Sequence, residues 1–278
     1  MSRRLLVLLL FPALFIACRK DGDDPPILPP QEPAETEPAV LTKVRKPITA
    51  AFTGYYEGLP ANYSKNNLKY PLIVYLHGLG QRGDGNTQLD FVGYDGLGKL
   101  LENKQLPPNF VVGGKNFSFI YICPQYWELP DGDEVKILID SIKLKYKVDL
   151  SRIYISGLSV GGVSATEAAG KYPFQFAAIV PMAGTTHSNL PGDFVQKCKN
   201  IAESNLPIWA FHNEFDPTIP KSDTEEFIGK VNGFSPTIPA RYTLFLGENG
   251  HNAWSRALNP TFKENGRNIY EWMLQYKR

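Results

Sequence analysis

From about residue 45 onward, short apolar runs alternate with segments whose apolar residues recur every three or four positions. The runs read as strands: AAFTGYYEG (50–58), YPLIVYLHG (70–78), FSFIYICP (117–124), RIYISG (152–157), FAAIVPMAG (176–184), PIWAFHN (207–213) and ARYTLFLG (240–247). Most are apolar throughout rather than at every second position, as expected of strands buried on both faces of a parallel sheet. Between them, Val135, Leu138, Ile139, Ile142 and Tyr146 fall on one helical face, and Asp131 followed by Glu134 has the spacing of a capping box. VGGVSATEAAGKY starts a further helix, and Ile269, Trp272, Met273 and Tyr276 mark the last one. The alternation predicts an α/β fold, a mainly parallel twisted sheet with helices on both faces and no internal repeat.

The first 44 residues break this pattern. MSRR followed by the thirteen-residue run LLVLLLFPALFIA has the basic and apolar regions of an export signal, and the run falls short of the about 20 apolar residues that a bilayer core requires. LFIAC resembles a bacterial lipobox, with Phe15 where leucine is usual, which implies a lipidated Cys18 as the first mature residue. Residues 21–40 then carry six prolines and six acidic residues with few large apolar side chains, a composition that cannot pack a core. Proline-rich chain extends by about 3.1 Å per residue, so some twenty residues reach about 60 Å. The expected organisation is therefore signal and lipidated cysteine over 1–18, a disordered tether over 19–44 and a catalytic domain over 45–278. The acidic KDGDD after Cys18 resembles lipoprotein sorting signals, and the expected location is the outer membrane, on its cell-surface or periplasmic face.

Composition narrows the function. A chain of 278 residues that is 43% hydrophobic can bury a sizeable core. Its net charge of +1 and scattered Lys and Arg carry no nucleic-acid footprint. Cys123 ends an apolar run and Cys198 sits in a polar, Lys-rich stretch, so two unpaired thiols are expected, and no zinc-type cysteine spacing exists.

The candidate chemistry begins at ISGLSVGGVSA (155–165). Gly157, Ser159 and Gly161 have the G-x-S-x-G spacing of a nucleophile elbow, in which a serine sits on the sharp turn between a strand and a helix. By itself the pattern also fits Ser159 as a helix N-cap. A serine hydroxyl needs a neighbouring base, itself oriented by a carboxylate. The histidines are His77 and His212, at the ends of strand candidates, and His187 and His251, in the loops after them. The chain order serine, acid, histidine selects Asp216, in the turn FDPTIP, and His251, in ENGHNAW, with Glu214, Asp193 and Glu248 as competing carboxylates.

Taken together, YLHGLGQRGDGN, ICPQYW, DLSRIYISGLSVGG, FAAIVPMAG, PIWAFHNEFDPTIP and ENGHNAW resemble the α/β-hydrolase superfamily. Within it they are similar to the secreted esterases related to feruloyl and acetylxylan esterases and polyhydroxyalkanoate depolymerases, across most of residues 70–255. The resemblance implies an α/β-hydrolase fold with Ser159 as nucleophile, His251 as general base and then acid, and Asp216 orienting it. It implies an oxyanion hole from the backbone N–H groups of Leu79 and Val160, no cofactor, and an ester substrate linked to carbohydrate, feruloyl or acetyl. His77 is expected to support the HGLG loop and, with Trp127 and Trp254, to belong to the substrate-binding set. No long hydrophobic insertion suggests a lipase lid. The alternatives are a general short-chain carboxylesterase, a serine peptidase of prolyl-oligopeptidase type, and a non-catalytic, sugar-binding surface lipoprotein.

Overall fold

The computed structural model describes residues 34–184 and 193–278. The expected export signal, the lipidated Cys18, most of the tether and the candidate His187 lie outside the described residues.

Ten strands are present among the described residues: β1 (Val40–Val44), β2 (Gly54–Leu59), β3 (Tyr70–Leu76), β4 (Phe110–Val112), β5 (Lys115–Phe117), β6 (Ile120–Gln125), β7 (Val148–Leu158), β8 (Ala178–Met182), β9 (Trp209–Phe215) and β10 (Arg241–Asn249). Eight of them form one sheet in the order β1-β2-β6-β3-β7-β8-β9-β10. The six strands from β6 to β10 in that order run parallel, while β1 and β2 add an antiparallel edge. β4 and β5 make a separate small hairpin.

Among the described residues seven α-helices accompany the sheet: α1 (Gly96–Glu102), α2 (Gly132–Lys145), α3 (Val160–Lys171), α4 (Phe194–Glu203), α5 (Lys221–Gly233), α6 (Ala253–Ala257) and α7 (Ile269–Met273). Alternate residues of β3 face opposite layers, because successive strand side chains point to opposite sides. Leu72, Val74 and Leu76 join a cluster with Val135 and Ile139 of α2, Ala165 of α3, Ile201 of α4 and Phe227 of α5. Ile73 and Tyr75 join the other cluster, with Leu97 of α1, Trp254 of α6 and Trp272 of α7. This three-layer packing explains why the strand sequences are apolar throughout. The α2 capping box forms as its spacing predicts, with Glu134 N–H donating to Asp131 Oδ1 (2.9 Å) and Asp131 N–H donating to Glu134 Oε2 (3.0 Å).

Three expectations need correction. The domain boundary at residue 45 is too late: β1 pairs with β2 along its whole length, and Glu35 is buried, with Oε2 accepting from the Asn62 side-chain amide (2.7 Å). A five-residue strand interrupted by Thr42 and Lys43 has no continuous apolar run by which to be recognised. The first strand candidate, 50–58, begins only at Gly54. The last helix ends at Met273, before Tyr276. Cys123 and Cys198 are both buried and unpaired. Among the described residues no helix is long and apolar enough to cross a membrane.

Candidate active site

β3, β7, β9 and β10 run parallel, so the segments that follow them emerge at one edge of the sheet, where ligands meet open α/β sheets. Those segments carry the HGLG loop, Ser159, Asp216 and His251.

Ser159 lies between β7 and α3 with φ 51° and ψ −127°. A non-glycine residue at positive φ is strained, and it persists here because its neighbours hold the turn from both sides. Ser159 N–H donates to Met182 O (2.9 Å), while Ser159 O accepts from Gly162 N–H (2.8 Å) and Val163 N–H (3.2 Å). A β-carbon on Gly157 would stand 2.4 Å from the Gly161 carbonyl carbon, and one on Gly161 would stand 2.2 Å from Leu76 O. Both glycines are required so that the helix start can press against β3 and the turn. The N-cap alternative fails on geometry, since the Ser159 side chain makes no capping hydrogen bond.

Ser159 Oγ–H instead donates to His251 Nε2 (2.8 Å), and His251 Nδ1–H donates to Asp216 Oδ2 (2.7 Å). The carboxylate can only accept, which fixes the imidazole tautomer and leaves Nε2 as the acceptor facing the serine. Asp216 Oδ1 accepts from Thr218 N–H (2.8 Å) and Ile219 N–H (3.1 Å), and its side chain is wholly buried. The turn around Pro217 thus aims the second oxygen at the loop after β10. Asn213, which sequence reasoning passed over, braces that loop: its Nδ2 donates to Gly250 O (2.9 Å) and Asn252 Oδ1 (2.8 Å). No local pattern distinguishes it from any other strand asparagine.

The remaining candidates separate cleanly. His212 is fully buried beneath Asp216, with Nε2–H donating to Ile219 O (2.9 Å) and Nδ1 accepting from Thr224 Oγ1 (2.8 Å). Burial lowers its pKa, so it is neutral at physiological pH. Glu214 accepts from Gly247 N–H, Asp193 caps α4, and Glu248 lies 3.5 Å from Arg256, so none competes for His251.

His77 does not contact substrate, contrary to its place in the expected binding set. It is 1% exposed, stacked on Tyr126 with ring centroids 3.8 Å apart, and burial holds its pKa down to about 4. Its Nδ1–H donates to Gly78 O (2.7 Å), and its Nε2 accepts from Tyr126 N–H (3.3 Å). The Gly78 carbonyl belongs to the same peptide unit as the Leu79 N–H, and in a trans peptide the two point in opposite directions. By holding the carbonyl, His77 turns the Leu79 N–H away from itself. Neither that N–H nor the Val160 N–H has a hydrogen-bond acceptor among the described residues. A pair of such donors can receive a developing oxyanion without reorganisation.

A cavity of about 440 Å³ opens over Ser159 and His251, walled by Leu79, Tyr94, Leu158 and Trp254. Trp254 meets His251 edge-on, with centroids 5.1 Å apart. Trp127 is outside the wall: it is 55% exposed, with the Arg82 guanidinium 5.7 Å from its ring centroid. Thr218 completes the wall, and of its members Tyr94 has a sequence context that carries no signal of it. Among the described residues no group of three or more His, Cys, Asp or Glu side chains is arranged to hold a metal ion.

This strand order, with a serine turn after β7, an acid after β9 and a histidine after β10, decides the fold family. The chain has the α/β-hydrolase fold. Residues 132–240 match the Phospholipase/Carboxylesterase family. The chain is 31% identical over 130 residues to a poly(3-hydroxyalkanoate) depolymerase of Paucimonas lemoignei, covering 46% of this chain and 29% of that one. It is 26% identical over 172 residues to a bifunctional acetylxylan esterase/xylanase of Neocallimastix patriciarum, covering 61% and 22%. It therefore spans less than a third of either curated relative's length. A solved thermostable esterase superimposes with a TM-score of 0.57 at 24% identity, over 88% of this chain and 64% of that one.

Proposed function

We propose that this protein of α/β-hydrolase fold is a serine esterase that works through an acyl-enzyme. The observation that carries the reading is the unbroken chain of hydrogen bonds Ser159–His251–Asp216, at 2.8 and 2.7 Å, opening into a cavity beside two uncommitted backbone N–H groups. Ser159 Oγ attacks the ester carbonyl carbon while His251 Nε2 takes its proton. The carbonyl oxygen gains negative charge and is held by the N–H groups of Leu79 and Val160. The carbon–alkoxy bond then breaks as His251 returns the proton to the departing alcohol. Water, deprotonated by His251, attacks the acyl carbon, and Oγ leaves with the proton as the acid is released. Asp216 keeps the imidazole in the required tautomer and stabilises it when charged.

The substrate class we assign is an acetyl or feruloyl group esterified to carbohydrate. A relative whose name includes acetylxylan esterase supports it, as does the indole of Trp254 in the cavity wall, a flat apolar face for a ring. We assign the protein to the outer membrane as an exported lipoprotein anchored through Cys18, on the motif LFIAC and the proline-rich segment behind it.

A fluorophosphonate should label Ser159 in the native protein, and Ser159→Ala should abolish labelling and lower kcat by about four to six orders of magnitude. Thermal unfolding of the variant should be nearly unchanged. Wild-type protein that takes up no label, or a variant that retains hydrolysis, overturns the assignment.

A further inference from the structure

A second cavity of about 450 Å³ adjoins the first, and the two share Asp95 and Trp254 as a common wall. α1 and the residue Gln105 beyond it form one side, and α6 with Leu258, Asn259 and Pro260 forms the other. We infer that this second cavity is the subsite for the alcohol part of the ester, and that the alcohol it takes is an uncharged sugar residue. The inference rests on the esterase reading and extends it to the leaving group.

Position supplies the first argument. The general acid must reach the oxygen of the departing alcohol, so that alcohol lies on the imidazole side of the scissile bond. Trp254 stands edge-on against that imidazole, and the second cavity lies across the same indole. An alcohol larger than a few atoms, leaving past His251, enters it.

The lining supplies the second argument. The side chains of Lys99, Gln105 and Ser255 have no hydrogen-bond partner among the described residues. Asn259 spends its Oδ1 on Thr261, accepting from the backbone N–H and the hydroxyl at 2.9 Å each, which leaves its amide N–H groups free. Asp95 uses one oxygen on Gly96 N–H (2.8 Å) and keeps the other. The uncommitted groups are thus an ammonium, two amides, a hydroxyl and a carboxylate oxygen, donors and acceptors interspersed, with Leu100, Leu258 and Trp254 as apolar surface between them. Adjacent hydroxyls that both donate and accept, on a ring with apolar C–H faces, match that lining. One positive and one negative charge favour neither an anionic nor a cationic ligand.

Substrate pairs with one acyl group and different alcohols test this. Ethyl acetate and methyl ferulate release alcohols too small to fill the second cavity, whereas acetylated xylo-oligosaccharide and a feruloylated arabino-oligosaccharide release sugars. In Lys99→Ala/Gln105→Ala, kcat/KM on the oligosaccharide of the preferred pair should fall about tenfold or more, chiefly through KM. On the matching simple ester it should stay within about twofold of wild type. Ser255→Tyr, which fills the cavity from α6, should give the same split. Equal losses on both substrates, or none on the oligosaccharide, overturn the subsite. Wild-type protein that cleaves simple esters but no sugar ester overturns the subsite alone and leaves the esterase standing. Wild-type protein that cleaves neither removes both.

Discussion

Replacing Ser159 by glycine should yield a more stable protein than replacing it by alanine, although both should be catalytically silent. At φ 51° and ψ −127° the residue occupies a region that glycine enters freely and side chains resist. Holding a non-glycine residue there costs about 1–3 kcal/mol. Glycine relieves that cost but surrenders roughly 0.5–1 kcal/mol in extra chain entropy. Both variants lose the hydroxyl and its bond to His251, so that contribution cancels between them. The β-carbon lines the open cavity, so its removal leaves no closed void. The net expectation is glycine above alanine by roughly 1 kcal/mol, or about 2–4 °C in melting temperature for a domain of this size. Parallel calorimetry of the two variants, with p-nitrophenyl acetate turnover as the check that both are inactive, measures it. An alanine variant that melts at or above the glycine variant would show that the turn stores no strain, and the account of the elbow given above would fail.

The buried neutral His77 makes stability depend on acid. Its pKa is about 4 when folded and near 6.5 when unfolded, so between those values the unfolded chain binds the proton and the folded one does not. The contribution is complete above pH 6.5, is lost as pH falls toward 4, and is on the order of 3 kcal/mol. Urea unfolding at pH 7 and 4.5 should show this loss in wild type and a shallower one in His77→Gln; identical slopes would refute the assignment. Lys197 Nζ donates to Glu167 Oε2 with the two side chains only 13% and 8% exposed, so removing one partner strands a charge. Lys197→Ala should cost about 3 kcal/mol, and Lys197→Met/Glu167→Leu should cost less. A double variant less stable than the single one would count against a poorly hydrated pair.

The triad of the proposed chemistry is legible in this chain once motif and chain order are read together. Ser159 is marked by the glycines that its turn needs, Asp216 by the proline that bends the chain behind it, and His251 by its place after the last strand. The strands of the parallel core are equally plain, because burial on both faces leaves them uninterrupted apolar runs. Those features are properties of a few consecutive residues, and a backbone conformation or a burial pattern leaves its trace in the residues that adopt it. Neighbourhood between distant segments leaves no such trace. Only the strand order sets β1 against β2, stacks Tyr126 on His77 so that the imidazole is buried away from any ligand, and keeps Trp127 out of a cavity that Trp254 walls. Tyr94 and Leu158, 64 residues apart in the chain, face the same cavity for the same reason. The chain thus carries its reactive groups in plain view, while the shape that selects what they act on exists only after the sheet has closed around them.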